Sequence, residues 1–346
     1  MAKIKKADPE QKLFTDVSGF IEESKQFVAF TANAALTMLY WKIGKRINDH
    51  ILQNTRADYG KQIVVTLSRQ LTDSYGKGFD DKNLRRIMQF AQVFYDEKIV
   101  TSLMRQLSWS HFTSLITLKD VLQREFYTEM CRIEKWSVRT LREKIDGMLY
   151  ERTAISKKPE TLIRQELKAL RDNNTLTPDL VFRDTYVLDF LGLKNVYSEK
   201  NLEEAILREM ELFILEMGTG FAFVERQKRM IIDGEDFNLD LLFYHRKLKR
   251  LIAIDLKLGK FKAGYKSQME LYLRWLEKNE MQDGEEVPLG LLLCAEGSKE
   301  QIELLQLDKV GIKIAEYLTE LPSKKLLQQK LHKTIATAKE RLKNNE

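Results

Sequence analysis

The spacing of apolar residues changes once along the chain. Up to about residue 150 they recur every three or four positions, as in Leu13, Phe14, Val17, Phe20 and Ile21 and again in Leu36, Leu39, Tyr40, Ile43 and Ile47. That is the period of helices with one face toward a core. Beyond residue 179, short apolar runs of strand length alternate with helical segments. Strands are predicted at 221–232, 237–245, 251–258, 288–295 and 311–318. Helices are predicted at 199–217, 264–279 and 299–307, and over the basic tail at 323–344. An apolar segment at 180–193 opens this half. The stretch 156–178 holds a short charged helical piece and ends in Asp-Asn-Asn-Thr-Leu-Thr-Pro, which reads as a linker. The expected organisation is an all-helical domain over 1–155, a linker over 156–178 and an α/β domain over 179–346.

Two of the predicted strands carry residues that do not belong in an apolar run. Phe-Asn-Leu-Asp-Leu-Leu-Phe-Tyr-His (237–245) contains Asp240, and Leu-Ile-Ala-Ile-Asp-Leu-Lys-Leu (251–258) contains Asp255 and Lys257. Buried charges are costly unless paired or bound to a metal. The basic link Arg246-Lys247-Leu248-Lys249-Arg250 is short enough for a hairpin. With the turn centred between Lys247 and Leu248, Asp240 falls opposite Asp255, where cross-strand side chains stand roughly 5 Å apart. Lys257, two positions on, shares the face of Asp255. Two carboxylates this close repel unless one protonates or a cation intervenes. Oxygen ligands without histidine or cysteine suit Mg²⁺ or Mn²⁺ rather than zinc. The plain alternative is a buried ion pair with Lys257, which leaves one acid unmatched.

In the helical half, residues 61–96 read as helix, the glycine-punctuated turn Tyr-Gly-Lys-Gly-Phe, and a second helix capped by Asp80 or Asp81 that carries Asn83, Arg85, Arg86 and Gln89. This is the outline of a helix-turn-helix reader of nucleic acid, although antiparallel helix pairs share it. A later helix, capped by Ser137, presents Arg139, Arg142 and Lys144. These are nucleic-acid candidates, or simply a solvated basic face. Trp41, Trp109 and Trp136 read as core anchors. His50, His111, His245 and His332 are scattered, and His245 reads as structural.

Composition narrows the class. The chain has 346 residues, 43% of them hydrophobic, with only 5 prolines and 16 glycines, as expected of a folded, helix-rich protein. Its 57 basic and 51 acidic residues leave a net charge of +6, compatible with a nucleic-acid partner. No apolar stretch approaches the roughly 18 residues of a membrane span, and the N-terminus lacks the apolar segment of a secretory signal. Cys131 and Cys294 form no motif and read as core residues. A cytoplasmic protein is expected.

The order helix, three-stranded meander, helix, strand, with Asp240 on one strand and Asp-x-Lys on the next, resembles the PD-(D/E)xK nuclease superfamily, and within it the YhcG-type family. The likeness runs through Gly-Phe-Ala-Phe-Val-Glu-Arg-Gln (220–227), Asp-Leu-Leu-Phe-Tyr-His (240–245), Asp-Leu-Lys-Leu-Gly-Lys-Phe (255–261) and Gln-Met-Glu-Leu-Tyr-Leu (268–273). In the helical half it includes Gly-Phe-Asp-Asp-Lys-Asn-Leu (78–84) and Trp-Ser-Val-Arg-Thr-Leu-Arg (136–142). The resemblance implies a restriction-endonuclease-like α/β domain with a mixed central sheet. It further implies a metal-dependent DNA endonuclease, with Asp240, Asp255 and the carbonyl of Leu256 on the cation and Lys257 beside the attacking water. Supporting roles fall to Glu203, Gln227, Gln268 and Tyr272, and the implied assembly is a homodimer. Three positions depart from the pattern: Leu239 replaces the proline, Asp255 stands where glutamate is expected, and Glu225 stands where a small residue is expected. A scaffold that binds DNA without cutting it, or an RNA nuclease, are the alternatives.

Overall fold

The computed structural model describes residues 9–52, 57–193, 197–297, 299–319 and 323–344. The chain forms two compact units, Met1–Glu143 and Lys144–Glu346.

The first unit is helical, as the spacing predicts. It holds α1 (Pro9–Leu52), α2 (Ala57–Tyr75), α3 (Asp81–Val93), α4 (Glu97–Leu103), α5 (Trp109–Leu115), α6 (Val121–Glu134) and α7 (Val138–Asp146), the last running over the boundary. Short acids start several of these helices. Asp80 accepts from the Asn83 amide, Asp96 from Lys98 and Asp120 from Gln123, which satisfies amides that lack an intrahelical partner. Ser137 accepts from the Thr140 amide in the same way. The core gathers Trp41, Leu84, Ile87, Phe90, Phe112 and Phe126, all buried. The Trp41 indole donates to the Phe94 carbonyl at 2.6 Å, and Trp109 packs on Tyr40 and Phe90. The tryptophans are thus core anchors. His111 is buried too, with its ring nitrogens on Ser108 and the Trp136 carbonyl.

The second unit starts at Lys144. It contains α8 (Leu149–Arg152), α9 (Glu160–Asn173), α10 (Pro178–Val181), β1 (Thr185–Val187), α11 (Glu199–Arg208), α12 (Met210–Met217), β2 (Phe221–Ile232), β3 (Glu235–His245), β4 (Arg250–Lys260), α13 (Gly264–Asn279), β5 (Leu289–Glu296), α14 (Lys299–Leu305), β6 (Ile312–Leu318) and α15 (Lys324–Asn344). Within the stretch 156–178, α9 buries Ile163, Leu167 and Leu170. Upstream, Arg152 and Arg183 both grip Glu216, whose carboxylate also accepts from the Val187 amide. This buried cluster fastens α8 to the sheet. The single helix predicted over 199–217 is two, broken at Glu209.

The sheet has the order β1-β6-β5-β4-β3-β2. Strands β1, β6, β5 and β4 run parallel to their neighbours, and β4, β3 and β2 form an antiparallel meander. One face carries α11 and α12, with Leu202, Ile206 and Phe213 packed on Leu241, Phe243, Ile254 and Leu291. The other carries α13, with Met269, Leu273 and Leu276 on Leu242, Ala253 and Leu292. Burial on both faces explains why the central strands read as unbroken apolar runs. The β3–β4 turn is clamped by His245. It is fully buried, its Nδ1 accepts from the Leu248 amide at 3.0 Å, and its ring stands edge-on to Phe221. Burial pushes its pKa down to about 4, so it is a neutral structural residue. Gly220, with φ of +95°, lies against it, and a Cβ there would sit 3.1 Å from Nε2.

Candidate active site

Strands β3 and β4 pair from His245 with Arg250 to Leu241 with Ile254. The turn centre therefore lies between Lys247 and Leu248, and the next rung would set Asp240 against Asp255. The ladder stops before that rung. Asp240 turns a carboxylate oxygen to β4 instead, and Oδ2 accepts the Leu256 amide at 2.8 Å. A side chain thus replaces the strand carbonyl that would otherwise take this proton, and the hairpin opens where the acids meet.

Strand β2 contributes from the other side. A bulge between Phe223 and Glu225 shifts its register, after which Arg226 faces Leu241 and Lys228 faces Leu239. Gln227 lies between them, opposite Asp240. Its φ is 46°, a left-handed conformation that costs a non-glycine residue on the order of 1–3 kcal/mol. From there its Nε2 donates to Asp240 Oδ1 at 3.2 Å and to Glu203 Oε2 at 2.8 Å. One amide so couples α11, β2 and β3. Burial raises the Glu203 carboxyl above its usual range, with Asp240 adding to the effect and the Gln227 hydrogen bond opposing it.

Asp255 is only 2% exposed. Burial, reinforced by Asp240, pushes its pKa up to about 7 against the opposing pull of Lys257. The Lys257 ammonium is 2.8 Å from Asp255 Oδ2 and 5.1 Å from the centre of the Tyr265 ring. Burial works to lower the lysine, but Asp255, Glu199 and Asp240 outweigh it and hold it above its ordinary value. The result is a permanently charged amine beside a carboxyl poised near neutrality, with a second acid at hand. Among the described residues, no group of three or more His, Cys, Asp or Glu side chains forms a metal cage. A cation at the aspartate pair would need backbone oxygen or water for its remaining positions. The donor set fits a hard divalent ion: it offers oxygen alone, and positive charge there would offset both the burial and the repulsion from Asp240 that raise Asp255.

Two family descriptions match the chain: the DUF1016 N-terminal domain over residues 16–152 and the YhcG PDDEXK nuclease domain over 179–332. A relative described as "Putative nuclease YhcG" from Escherichia coli (strain K12) is 32% identical, covering 95% of this chain and 96% of its own. The chain belongs to the YhcG family of PDDEXK nucleases. Solved structures that match part of the chain include a repair endonuclease from Pyrococcus abyssi (22% identity, 38% of this chain and 50% of that one, TM-score 0.26). Another is the EndoMS–dsDNA2 complex (17% identity, 38% and 49%, TM-score 0.28).

The remaining residues singled out in this YhcG-family sequence fall into distinct settings. Gln268 donates to the Tyr272 hydroxyl at 2.6 Å, and that hydroxyl reaches the Asn238 carbonyl at 3.2 Å. Tyr272 is buried and bound to β3, two residues from Asp240, as a brace on the strand. The unexpected Glu225 pairs with Lys228, which also holds Glu280. The Leu256 side chain is in the core while its amide serves Asp240. In the helical unit, Asn83 bonds back to the Gly78 carbonyl, Arg85 pairs with Asp81 and Arg139 with Glu143. Arg142 donates to Ser114, and Arg86 is exposed. Sequence reasoning missed Glu199, whose carboxylate accepts from the Leu258 amide at 3.3 Å and bears on Lys257, and Tyr265 under the lysine. Glu199 sits one residue after the Ser198 cap, where an acid at a helix start has an ordinary explanation. Cys131 and Cys294 are buried, and burial drives both thiols up to about 12, so neither is a nucleophile at neutral pH.

Proposed function

We propose that this nuclease-family protein is a Mg²⁺- or Mn²⁺-dependent DNA endonuclease whose phosphodiester site is Asp240, Asp255 and Lys257. The observation that carries this reading is the opened hairpin: two aspartates at the first missing rung, one of them raised to about 7 by burial and by the other, beside a charged lysine. Asp240, Asp255 and the Leu256 carbonyl would hold the cation. When bound, it supplies charge neutralisation and Lewis acidity at the phosphate. The protein's own part is positional. Gln227 and the Leu256 amide fix the Asp240 carboxylate from two directions. Lys257, held charged, orients the attacking water and offsets negative charge developing on phosphorus. Tyr272 keeps β3 in place through the Asn238 carbonyl. Asn83, Arg85, Arg86, Arg139 and Arg142 are the candidates for holding nucleic acid, and a homodimer would let two sites address two strands.

The test is cleavage of plasmid DNA and of RNA, side by side, with Mg²⁺ or Mn²⁺. Wild type is expected to cut DNA, and Asp240→Ala and Lys257→Ala to fail. Cleavage that persists in both variants would remove the site, and cleavage of RNA alone would reassign the substrate. One observation favours a second reading: Lys257 and Asp255 pair directly, as in a site that no longer turns over. Tight DNA binding without cleavage under either metal would support that reading.

A further inference from the structure

Helix α1 changes surroundings part-way along its 44 residues. From Thr37 onward it buries side chains in the first unit, among them Tyr40, Trp41 and Ile47. Between residues 12 and 36 no side chain is buried. That segment is nevertheless strongly apolar on one side. Leu13, Phe14, Val17, Phe20, Ile21, Phe27 and Val28 are 45–68% exposed.

The spacing of these residues names the kind of partner. The apolar pairs Leu13/Phe14, Phe20/Ile21, Phe27/Val28 and Ala34/Ala35 recur at intervals of seven, with Val17, Ser24 and Thr31 between them. A strict seven-residue repeat is what a partner helix selects, because the stripe then follows a supercoiled neighbour. The small polar residues at Ser24 and Thr31 allow close approach, and the Thr31 hydroxyl is already satisfied by the Phe27 carbonyl at 2.9 Å. Nucleic acid and an anionic membrane fit poorly. Between residues 12 and 30 the polar positions carry Asp16, Glu22 and Glu23 against Lys12 and Lys25, whereas helices that lie on membranes have a basic polar face.

The area points to a second copy. Three of the seven are phenylalanines, whose side chains bury ~150–250 Å² each, and with the smaller aliphatic four, all 45–68% exposed, the stripe leaves on the order of 700 Å² uncovered. That exceeds the ~300–600 Å² of the largest patch on an ordinary monomer and approaches the ~800 Å² per partner of a standard interface. A lone helix of this composition, with Gly19 and several β-branched residues, is also marginal in water without a packed face.

We propose that the exposed N-terminal stretch of α1 is a self-association helix that pairs with the same stretch of a second copy through the Leu13-to-Val28 stripe. The proposal names a surface for the expected dimer and does not depend on the nuclease reading, because pairing is measured whether or not any substrate is cut. The experiment is sedimentation of the full-length protein at micromolar concentration. Wild type should run at twice the chain mass of 40.6 kDa. Phe20→Glu combined with Phe27→Glu should run at the chain mass, with the thermal unfolding of the rest unchanged. Cysteine scanning gives a second measurement that does not depend on a disruptive variant. Ser24→Cys, on the stripe, should link two chains on oxidation, whereas Glu22→Cys, on the opposite side, should not. A monomeric wild type, an oligomer that survives the double substitution, or equal linking by both cysteines overturns the proposal. So does a monomer that binds phosphatidylserine vesicles through this stripe.

Discussion

The two units handle charge in opposite ways. In the helical unit two of the singled-out basic residues lie at the surface and are answered locally: Arg85 by Asp81 and Arg139 by Glu143, each four residues away on its own helix. Such pairs contribute little and leave the guanidinium free to exchange partners. In the α/β unit the singled-out charges lie at the edge of the core and answer one another across elements far apart in sequence. Glu203 on α11, Gln227 on β2, Asp240 on β3 and Leu256 on β4 form one hydrogen-bonded chain. A surface charge paired on its own helix needs no ligand to be stable there, though it can exchange its partner for one. A carboxyl buried beside another carboxyl does need one, and this separates a solvated face from a candidate reaction centre.

The comparison breaks most sharply at the site itself. Removing the amine with Lys257→Ala, or the acid with Asp240→Ala, should lower cleavage by about 10²–10³-fold or more while sparing nucleic-acid binding, as measured by initial rates and by gel shift. Equal loss of binding and cleavage would mean that these residues build structure rather than perform chemistry.

Next in size is the clamp behind the hairpin. Gly220→Ala forces a Cβ into His245 at a positive φ and should cost about 1–3 kcal/mol, seen as a lower Tm of the α/β unit. An unchanged Tm would show that the hairpin does not depend on this packing.

Asp255 gives the third effect, and its sign is opposite to that of an ordinary salt-bridged acid. Its folded pKa of about 7 lies above its unfolded value of 3.8, so the native state holds a proton that the unfolded chain releases. Stability of the metal-free protein should therefore be greatest below about pH 4 as far as this group is concerned, fall as pH rises toward about 7, and level off above. Asp255→Asn should flatten that slope and stabilise the protein at pH 7 by about 1–2 kcal/mol in the presence of chelator, while abolishing cleavage. Chemical denaturation between pH 4 and 8 measures it, and a slope unchanged by the substitution would place the titration elsewhere. A smaller effect concerns Gln227. Gln227→Gly relieves the left-handed backbone and removes the amide between Glu203 and Asp240, so Tm should hold or rise while cleavage drops.

The smallest expected change lies in the helical unit. Single Arg85→Ala, Arg86→Ala or Arg139→Ala substitutions should weaken DNA binding modestly and reduce the salt dependence by about one unit for each phosphate left without its guanidinium. No change in that slope for any of them would exclude these residues as nucleic-acid contacts.

Several features were legible without coordinates because they rest on short-range rules. The helical spacing of the first unit, the strand ends at Phe221 and Ile232, and the hairpin register through Lys247 and Leu248 all follow from periodicity and turn length. The polar intruders Asp240, Asp255 and Lys257 stood out because the runs around them were so apolar. Other features could not be read. Strand β1 is three residues long and exists only by pairing with β6, more than a hundred positions away. Helix α9 is expected as a charged helical piece, but that it buries Ile163, Leu167 and Leu170 depends on what packs against it.

What the sequence determined alone was the inventory: which segments are helices or strands, which family they belong to, and which charges lacked a local reason to be buried. Tertiary structure decided how those charges are arranged. It stopped the β3–β4 ladder at Asp240, twisted Gln227 into a left-handed backbone to bridge two acids, and brought Glu199 and Tyr265 to Lys257. The physical reason is range. Hydrophobic period and capping act over a few residues, whereas the pKa of a buried carboxyl and the closing of a ladder depend on groups that only the folded chain brings within a few ångströms of one another.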